Sequence, residues 1–330
     1  MSSLLFEPES TLRAIRRRVI RTGALLLPAA IVLTTLPASG SLATRHESGL
    51  AAPIAPLQPP AAGSNRQAAL RHLNLVMTHQ NGRASAVILD TSGGIVYQKE
   101  GDQRYQLASV SKLYILTAYL DLIERQDREA NDWEREMMAA MIEESDNRSA
   151  ADLWDELGEV EGVQEFLKSK SLRTVEAPEV PAEWGEVKAS ALDVGILLRE
   201  LYDGRLLSDE HTRFALDLLG NIIDEQAWGV GAAQDGTGAR QTYLKNGWYP
   251  EEEGWTVNSA GIVDSESEDY VVVLLTDSQP SLEEGVSFIE SAVRIFQAGI
   301  THDGGLNVSP TTDLTPPVLI PGRAGPADIP

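Results

Sequence analysis

The chain contains no cysteine, which excludes disulfides, thiolate metal sites and an anchor built on a lipid-modified cysteine. Basic residues are scarce as well. Only 27 Lys and Arg stand against 49 Asp and Glu, a formal net charge of -22 over 330 residues. Five Arg and two Glu fall within residues 1–43, so the remainder is more acidic than the whole. Such a balance disfavours nucleic acid, anionic membranes and anionic wall polymers as partners, and solubility is its simplest reading. The five histidines, His46, His72, His79, His211 and His302, show no metal-ligand spacing. There is neither a Gly-x-Ser-x-Gly elbow nor a phosphate-binding loop. No metal, nucleotide or other cofactor is therefore expected. What the chain does have is 42% hydrophobic and 23% charged residues, the profile of a globular protein with a sizeable core.

The N-terminus speaks to location. Arg13, Arg16, Arg17, Arg18 and Arg21 precede a short apolar core running from Gly23 to Leu33, with small residues at Ala38, Ser39, Gly40, Ser41 and Ala43. A basic segment, an apolar core and small residues read as a secretion signal, with cleavage after Gly40 or Ala43. The uncharged stretch 22–44 is also long enough to remain as a membrane anchor. An exported, extracytoplasmic and monomeric protein is expected. Residues 44–65 form a Pro/Ala-rich linker, the folded domain is expected over 66–300, and the Gly/Pro-rich segment 301–330 reads as a disordered tail.

Within the domain, Leu70, Leu73, Val76 and Met77 predict a helix over 66–78, and residues 84–90 and 95–99 a β-hairpin turning at Ser92-Gly93-Gly94. An apolar run, 113–120, predicts a helix placing Ser109 and Lys112 on one face at its start. Further helices are predicted near 133–143, 149–157, 163–169, 192–202 and 208–223. Between the third and fourth of these lies an irregular acidic loop, 176–186. Strands follow over 242–245, 255–263 and 270–276. Ser281-Leu282-Glu283-Glu284 is a capping box opening a last helix with Val286, Ile289, Val293 and Phe296 on one face. The fold class is α/β in the α+β sense: an antiparallel sheet flanked by N- and C-terminal helices, with an all-helical lobe inserted between its strands.

Chemistry-bearing residues recur at the junctions. Ser109-Val110-Ser111-Lys112 offers a nucleophile beside a potential base, which works only if burial or another cation depresses the lysine pKa. Ser145-Asp146-Asn147 lies in the helical lobe, and Lys245-Asn246-Gly247-Trp248 before the 255–263 strand. Each alone reads as a helix cap, a turn or a solvated strand end. Ser-x-x-Lys, Ser-Asp-Asn and Lys-x-Gly together, in this order, resemble the motifs of the penicillin-recognising serine enzymes, class A β-lactamases in particular. The resemblance covers residues 66–298. It implies the β-lactamase/D,D-peptidase fold, Ser109 as nucleophile, Lys112 as proton acceptor and Ser145 as proton donor to the departing nitrogen. It further implies Asn147 as an orienting group, Lys245 and Asn246 facing a substrate carboxylate, and backbone N–H groups of Ser109 and Trp248 meeting the oxyanion. Gly247 would allow close backbone approach there, with Trp248 bulky beside the cleft.

The family's Glu-x-x-Leu-Asn motif, whose glutamate activates the deacylating water, is absent. Glu176, Glu179, Glu183 and Glu186 lie in the corresponding region without the leucine and asparagine. Asn246 replaces the usual threonine, and no arginine occurs in 255–263. Hydrolysis of a β-lactam amide leads the expectations. A D,D-peptidase or esterase acting on cell-wall peptides or small esters, and a penicillin-binding-like module without turnover, are the alternatives.

Overall fold

The computed structural model describes residues 62–300 apart from 236, 237 and 267, so the signal or anchor expected in 1–43, most of the expected linker and the expected tail lie outside the described residues. The chain opens with helix α1 (Ala62–His79), whose end at Asn81-Gly82 feeds the antiparallel pair β1 (Arg83–Asp90) and β2 (Ile95–Lys99). A short strand β3 (Arg104–Gln106) leads to a 3-10 turn (Ala108–Ser111) and then to α2 (Lys112–Arg125). The lobe continues with α3 (Asp132–Ala139), a π-helical turn (Ala140–Glu144), α4 (Asn147–Leu157) and α5 (Glu159–Ser169). After a long loop come a 3-10 turn (Trp184–Glu186), β4 (Lys188–Ser190), α6 (Ala191–Tyr202) and α7 (Asp209–Gly220). Three long strands, β5 (Ala239–Glu251), β6 (Gly254–Ser265) and β7 (Tyr270–Asp277), precede the closing helix α8 (Leu282–Ile300).

The five-stranded sheet has the order β2-β1-β7-β6-β5, antiparallel throughout. Strand β1 pairs with β7, so the first and last parts of the chain close one sheet around the lobe inserted between them. Side-chain alternation then divides the interior in two. Ala86, Ile88, Val272 and Leu274 face α1 and α8, meeting Leu73, Met77, Ile289, Val293 and Phe296. Val87, Leu89, Val271 and Val273 face the opposite way, towards α6 and α2, where Val194, Leu198, Leu113 and Ile115 join one large cluster. Every residue of α2 from Lys112 to Asp121 is buried, so this helix forms the axis of the lobe.

The architecture is the one expected, with local differences. Ser109 does not open the α-helix: it sits in the 3-10 turn, and α2 begins only at Lys112. The predicted strand 242–245 extends to Ala239–Glu251 because Glu251 and Gly254 close a hairpin with β6. Pro250 is tolerated there since β5 is an edge strand, where a missing donor breaks no inner ladder. The helix expected to end at 223 stops at Gly220, and Asp224–Gln226 form a separate 3-10 turn. No helix among the described residues is long and apolar enough to cross a membrane.

Candidate active site

Ser109 is held by neighbours rather than by its own helix. Leu107 N–H donates to Val187 O at 2.9 Å, the Ser111 hydroxyl to Ala108 O at 2.7 Å, and Asn258 Nδ2 to Gln106 O and Leu107 O at 2.8 and 3.1 Å. Asn258 is wholly buried in β6 and also accepts from Thr276 N–H at 2.9 Å, so one amide ties β6 and β7 to the segment before the nucleophile. Ala108 itself takes φ +48°, a left-handed conformation unusual for a residue with a Cβ, which this bracing maintains. Gly247 of β5 lies directly behind. A Cβ there would come within 2.7 Å of Leu107 O and Ser109 N, so only glycine lets the strand approach so closely.

Lys112 is fully buried. Its Nζ meets Ser145 O at 2.6 Å, Ser145 Oγ at 3.1 Å and Asn147 Oδ1 at 2.9 Å. Lys245, also buried, donates from Nζ to the same Ser145 Oγ at 2.9 Å and to Asn246 O at 3.1 Å. A single hydroxyl thus bridges two lysines. Burial drives Lys112 well below the ordinary lysine range and the neighbouring Lys245 pushes the same way, against a smaller opposing pull from Asp146. Burial brings Lys245 down to about 7. A neutral Lys112 can take a proton, and Ser145 can relay one. The Lys112 backbone N–H donates to Ser109 O, but no side-chain hydrogen bond joins the two among the described residues.

Ser145 reaches its place through a strained backbone. It follows the π-helical turn at φ 61°, ψ 34°, and Asp146 N–H closes that turn onto Ala140 O at 3.0 Å. Asp146 then caps α4, accepting from Ser149 N–H at 2.7 Å. Burial pushes the Asp146 carboxyl up, but the Ser149 bond and the Lys112 charge outweigh it and hold the group below its usual range. Asn147 begins α4 and so points its amide oxygen at Lys112.

Two expected site residues turn elsewhere. Strand alternation sends Lys245 and Gly247 towards Ser145 and Ser109, while Asn246 and Trp248 project from the opposite face. Asn246 is buried, and its Nδ2 donates to Gln226 O at 2.8 Å and to Trp228 O at 2.9 Å. Both N–H groups are used in this way, so the side chain does not face a substrate carboxylate, contrary to the sequence expectation. The Trp248 ring packs against Trp228 at 5.9 Å between centroids rather than crowding the cleft. Its backbone remains on the outer strand of the sheet.

The acidic loop is largely solvated, as its sequence suggests. Glu176, Glu179 and Glu183 are exposed, and Glu176 pairs with Lys188 at 3.6 Å. The residue that faces the lysine is Trp184, whose ring centroid lies 4.8 Å from Lys112 Nζ. Neither Trp184 nor Asn258 figured among the sequence candidates. Their signals were present, as a lone aromatic within an acidic loop and an amide in the middle of an apolar strand.

Among the described residues no group of His, Asp or Glu could hold a metal ion. A family model described as the beta-lactamase enzyme family matches residues 134–298, a range that includes Ser145, Asn147 and Lys245 and begins after Lys112. Among solved structures, a beta-lactamase from Chitinophaga pinensis is similar at 16% identity, over 70% of this chain and 98% of that one, with a TM-score of 0.61. A class A beta-lactamase from Mycobacterium abscessus matches at 20% identity over 69% and 97%, TM-score 0.58. PBP-A matches at 21% identity over 73% and 98%, TM-score 0.59. No curated protein sequence matches.

Proposed function

The chain belongs to the beta-lactamase enzyme family, and from that premise we propose that it is a serine hydrolase that opens β-lactam amides through an acyl-enzyme at Ser109. One observation carries this reading: the Ser145 hydroxyl lies 3.1 Å from Lys112 Nζ and 2.9 Å from Lys245 Nζ. Such a chain has both ends of an acyl transfer. Neutral Lys112 accepts the Ser109 proton, directly or through water, as Oγ bonds to the amide carbon. Backbone N–H groups of Ser109 and Trp248 stabilise the oxyanion. As the C–N bond breaks, Ser145 gives its proton to the nitrogen and recovers one from Lys112. Water then releases the acid and regenerates Ser109.

A second reading follows from Asn246. With that amide engaged at Gln226 and Trp228 and no arginine on β6, recognition of a substrate carboxylate rests on Lys245. A neutral ester or amide, or a cell-wall peptide gripped mainly through its backbone, suits this arrangement. Intact-mass spectrometry of the full chain with benzylpenicillin separates the two. The first reading expects a covalent adduct on the native protein and none on Ser109→Ala. An unmodified native protein that nevertheless hydrolyses p-nitrophenyl acetate in a Ser109-dependent way would select the second, and loss of neither adduct nor turnover in Ser109→Ala would refute the nucleophile assignment.

A further inference from the structure

We propose that Trp184 is the roof of this site, a positioning residue whose indole covers the Lys112 amino group and shields the ester at Ser109 from water, so that the ester is long-lived. The inference rests on the acyl-enzyme reading above and extends it to the step of release. Its basis is what surrounds Lys112. Ser145, Asn147 and Lys245 occupy one side, and Trp184 lies across another at 4.8 Å. The indole cannot serve as a base, since its N–H only donates.

The roof is firmly attached. Trp154 Nε1 donates to Pro181 O at 2.9 Å from beneath the loop, and Glu176 and Lys188 pair through their backbones at its base. Immediately beyond Trp184, Val187 O accepts from Leu107, and a Cβ at Gly185 would rest 3.9 Å from Ala108 Cα. The loop therefore leans on the residues just before the nucleophile.

No carboxylate substitutes for the indole. Asp146 is occupied at Ser149, Glu176, Glu179 and Glu183 are exposed, and Glu186, half-buried, is not among the charges that act on Lys112. Lys112 is then the base for release as well as for acylation. A water oxygen bonds to the ester carbonyl carbon as its proton passes to Lys112 Nζ, the C–Oγ bond breaks, and Lys112 returns the proton to Ser109 Oγ. That step needs a water beside Lys112, where the indole lies.

Removing the ring should have two effects. Water reaches the ester, and it also solvates the amine. The charged groups acting on Lys112 are Lys245 from β5 and Asp146 at the start of α4. Of the loop's nearer carboxylates, Glu183 is exposed and Glu186 half-buried, and Arg148 on α4 points to solvent. None of these changes on substitution of Trp184, so a changed titration reports the roof.

The test compares the full chain with Trp184→Phe and Trp184→Ala. Each is acylated with benzylpenicillin, freed of excess reagent and followed by intact mass; in parallel, Lys112 is titrated by NMR of ε-13C-lysine protein, its signal assigned by Lys112→Arg. We expect Trp184→Ala to shorten the ester lifetime by about tenfold or more and to raise the Lys112 midpoint, with Trp184→Phe close to the native protein. Equal lifetimes in the native and Trp184→Ala proteins overturn the proposal. If no ester forms on the native protein, the acyl-enzyme reading falls, and the Lys112 midpoint alone decides: raised, it sustains the roof; unmoved, it removes it. Should Trp184→Ala be unfolded by circular dichroism, Trp184→Leu, apolar but without the ring, takes its place with the same outcomes.

Discussion

Two sides of Lys112 are built on opposite principles. Towards Ser145 and Lys245, polar atoms meet polar atoms at 2.6–3.1 Å around two buried lysines. Towards the loop, the lysine meets an aromatic ring, and three of the loop's four glutamates stand in water. The difference teaches where reactivity resides. A lysine is a base near neutral pH only when burial makes its charged form costly, so the acylating groups must be enclosed together. A carboxylate standing in bulk water has no hold on a particular water molecule. The loop's negative charges thus contribute to solubility, and its single ring contributes to the site.

The contrast can be broken from its polar side first. Lys112→Met should lower the acylation rate by about a thousandfold or more, as loss of a general base does, with the secondary structure intact by circular dichroism. Next comes Gly247→Val. The Cβ would press on Leu107 O and Ser109 N, and displacement of the nucleophile should cost about a hundredfold in acylation rate, read from the same mass time course.

Asn258→Ala tests the bracing rather than the chemistry. It removes the side-chain partner of Gln106 O, Leu107 O and the Thr276 N–H, with Leu107 O keeping only the Val110 N–H, and urea denaturation should show a loss of about 1–3 kcal/mol. Lys245 sharpens the electrostatic half of the comparison. Its folded pKa, about 7, lies below its ordinary value of 10.5, so between those pH values the unfolded chain binds more protons and stability rises with pH. Relative to Lys245→Met, the native protein should gain melting temperature between pH 7 and pH 10. The smallest effect belongs to the loop: Glu179→Gln should leave both acylation and release within about twofold, because the side chain is exposed and touches none of the reacting groups. A large change in release would restore this carboxylate as the water-activating base.

Much of this was legible beforehand, for specific reasons. Continuous apolar runs in 84–90 and 270–276 announce strands with two covered faces, and the run 113–120 announces a buried helix, because apolar patterning reports burial directly. Ser145-Asp146-Asn147 and Lys245-Asn246-Gly247 stood out as short polar strings at element junctions. Their orientation did not. The Asn246 amide and the Trp248 ring could be assigned a side only once the register of β5 against β6 was known, since a shift of one residue exchanges the faces.

The amino-acid sequence by itself determined the family's three motifs, the order of the elements, the acidic charge and the absence of thiol chemistry, all properties of residue type and spacing. Tertiary structure alone decided that one hydroxyl joins Lys112 to Lys245, that Asn258 braces the nucleophile segment, and that Trp184 rather than a glutamate covers the lysine. The reason is physical. Burial, desolvation and hydrogen-bond partnership arise between residues dozens of positions apart, and local pattern carries no record of which distant side chain fills the space beside a given atom.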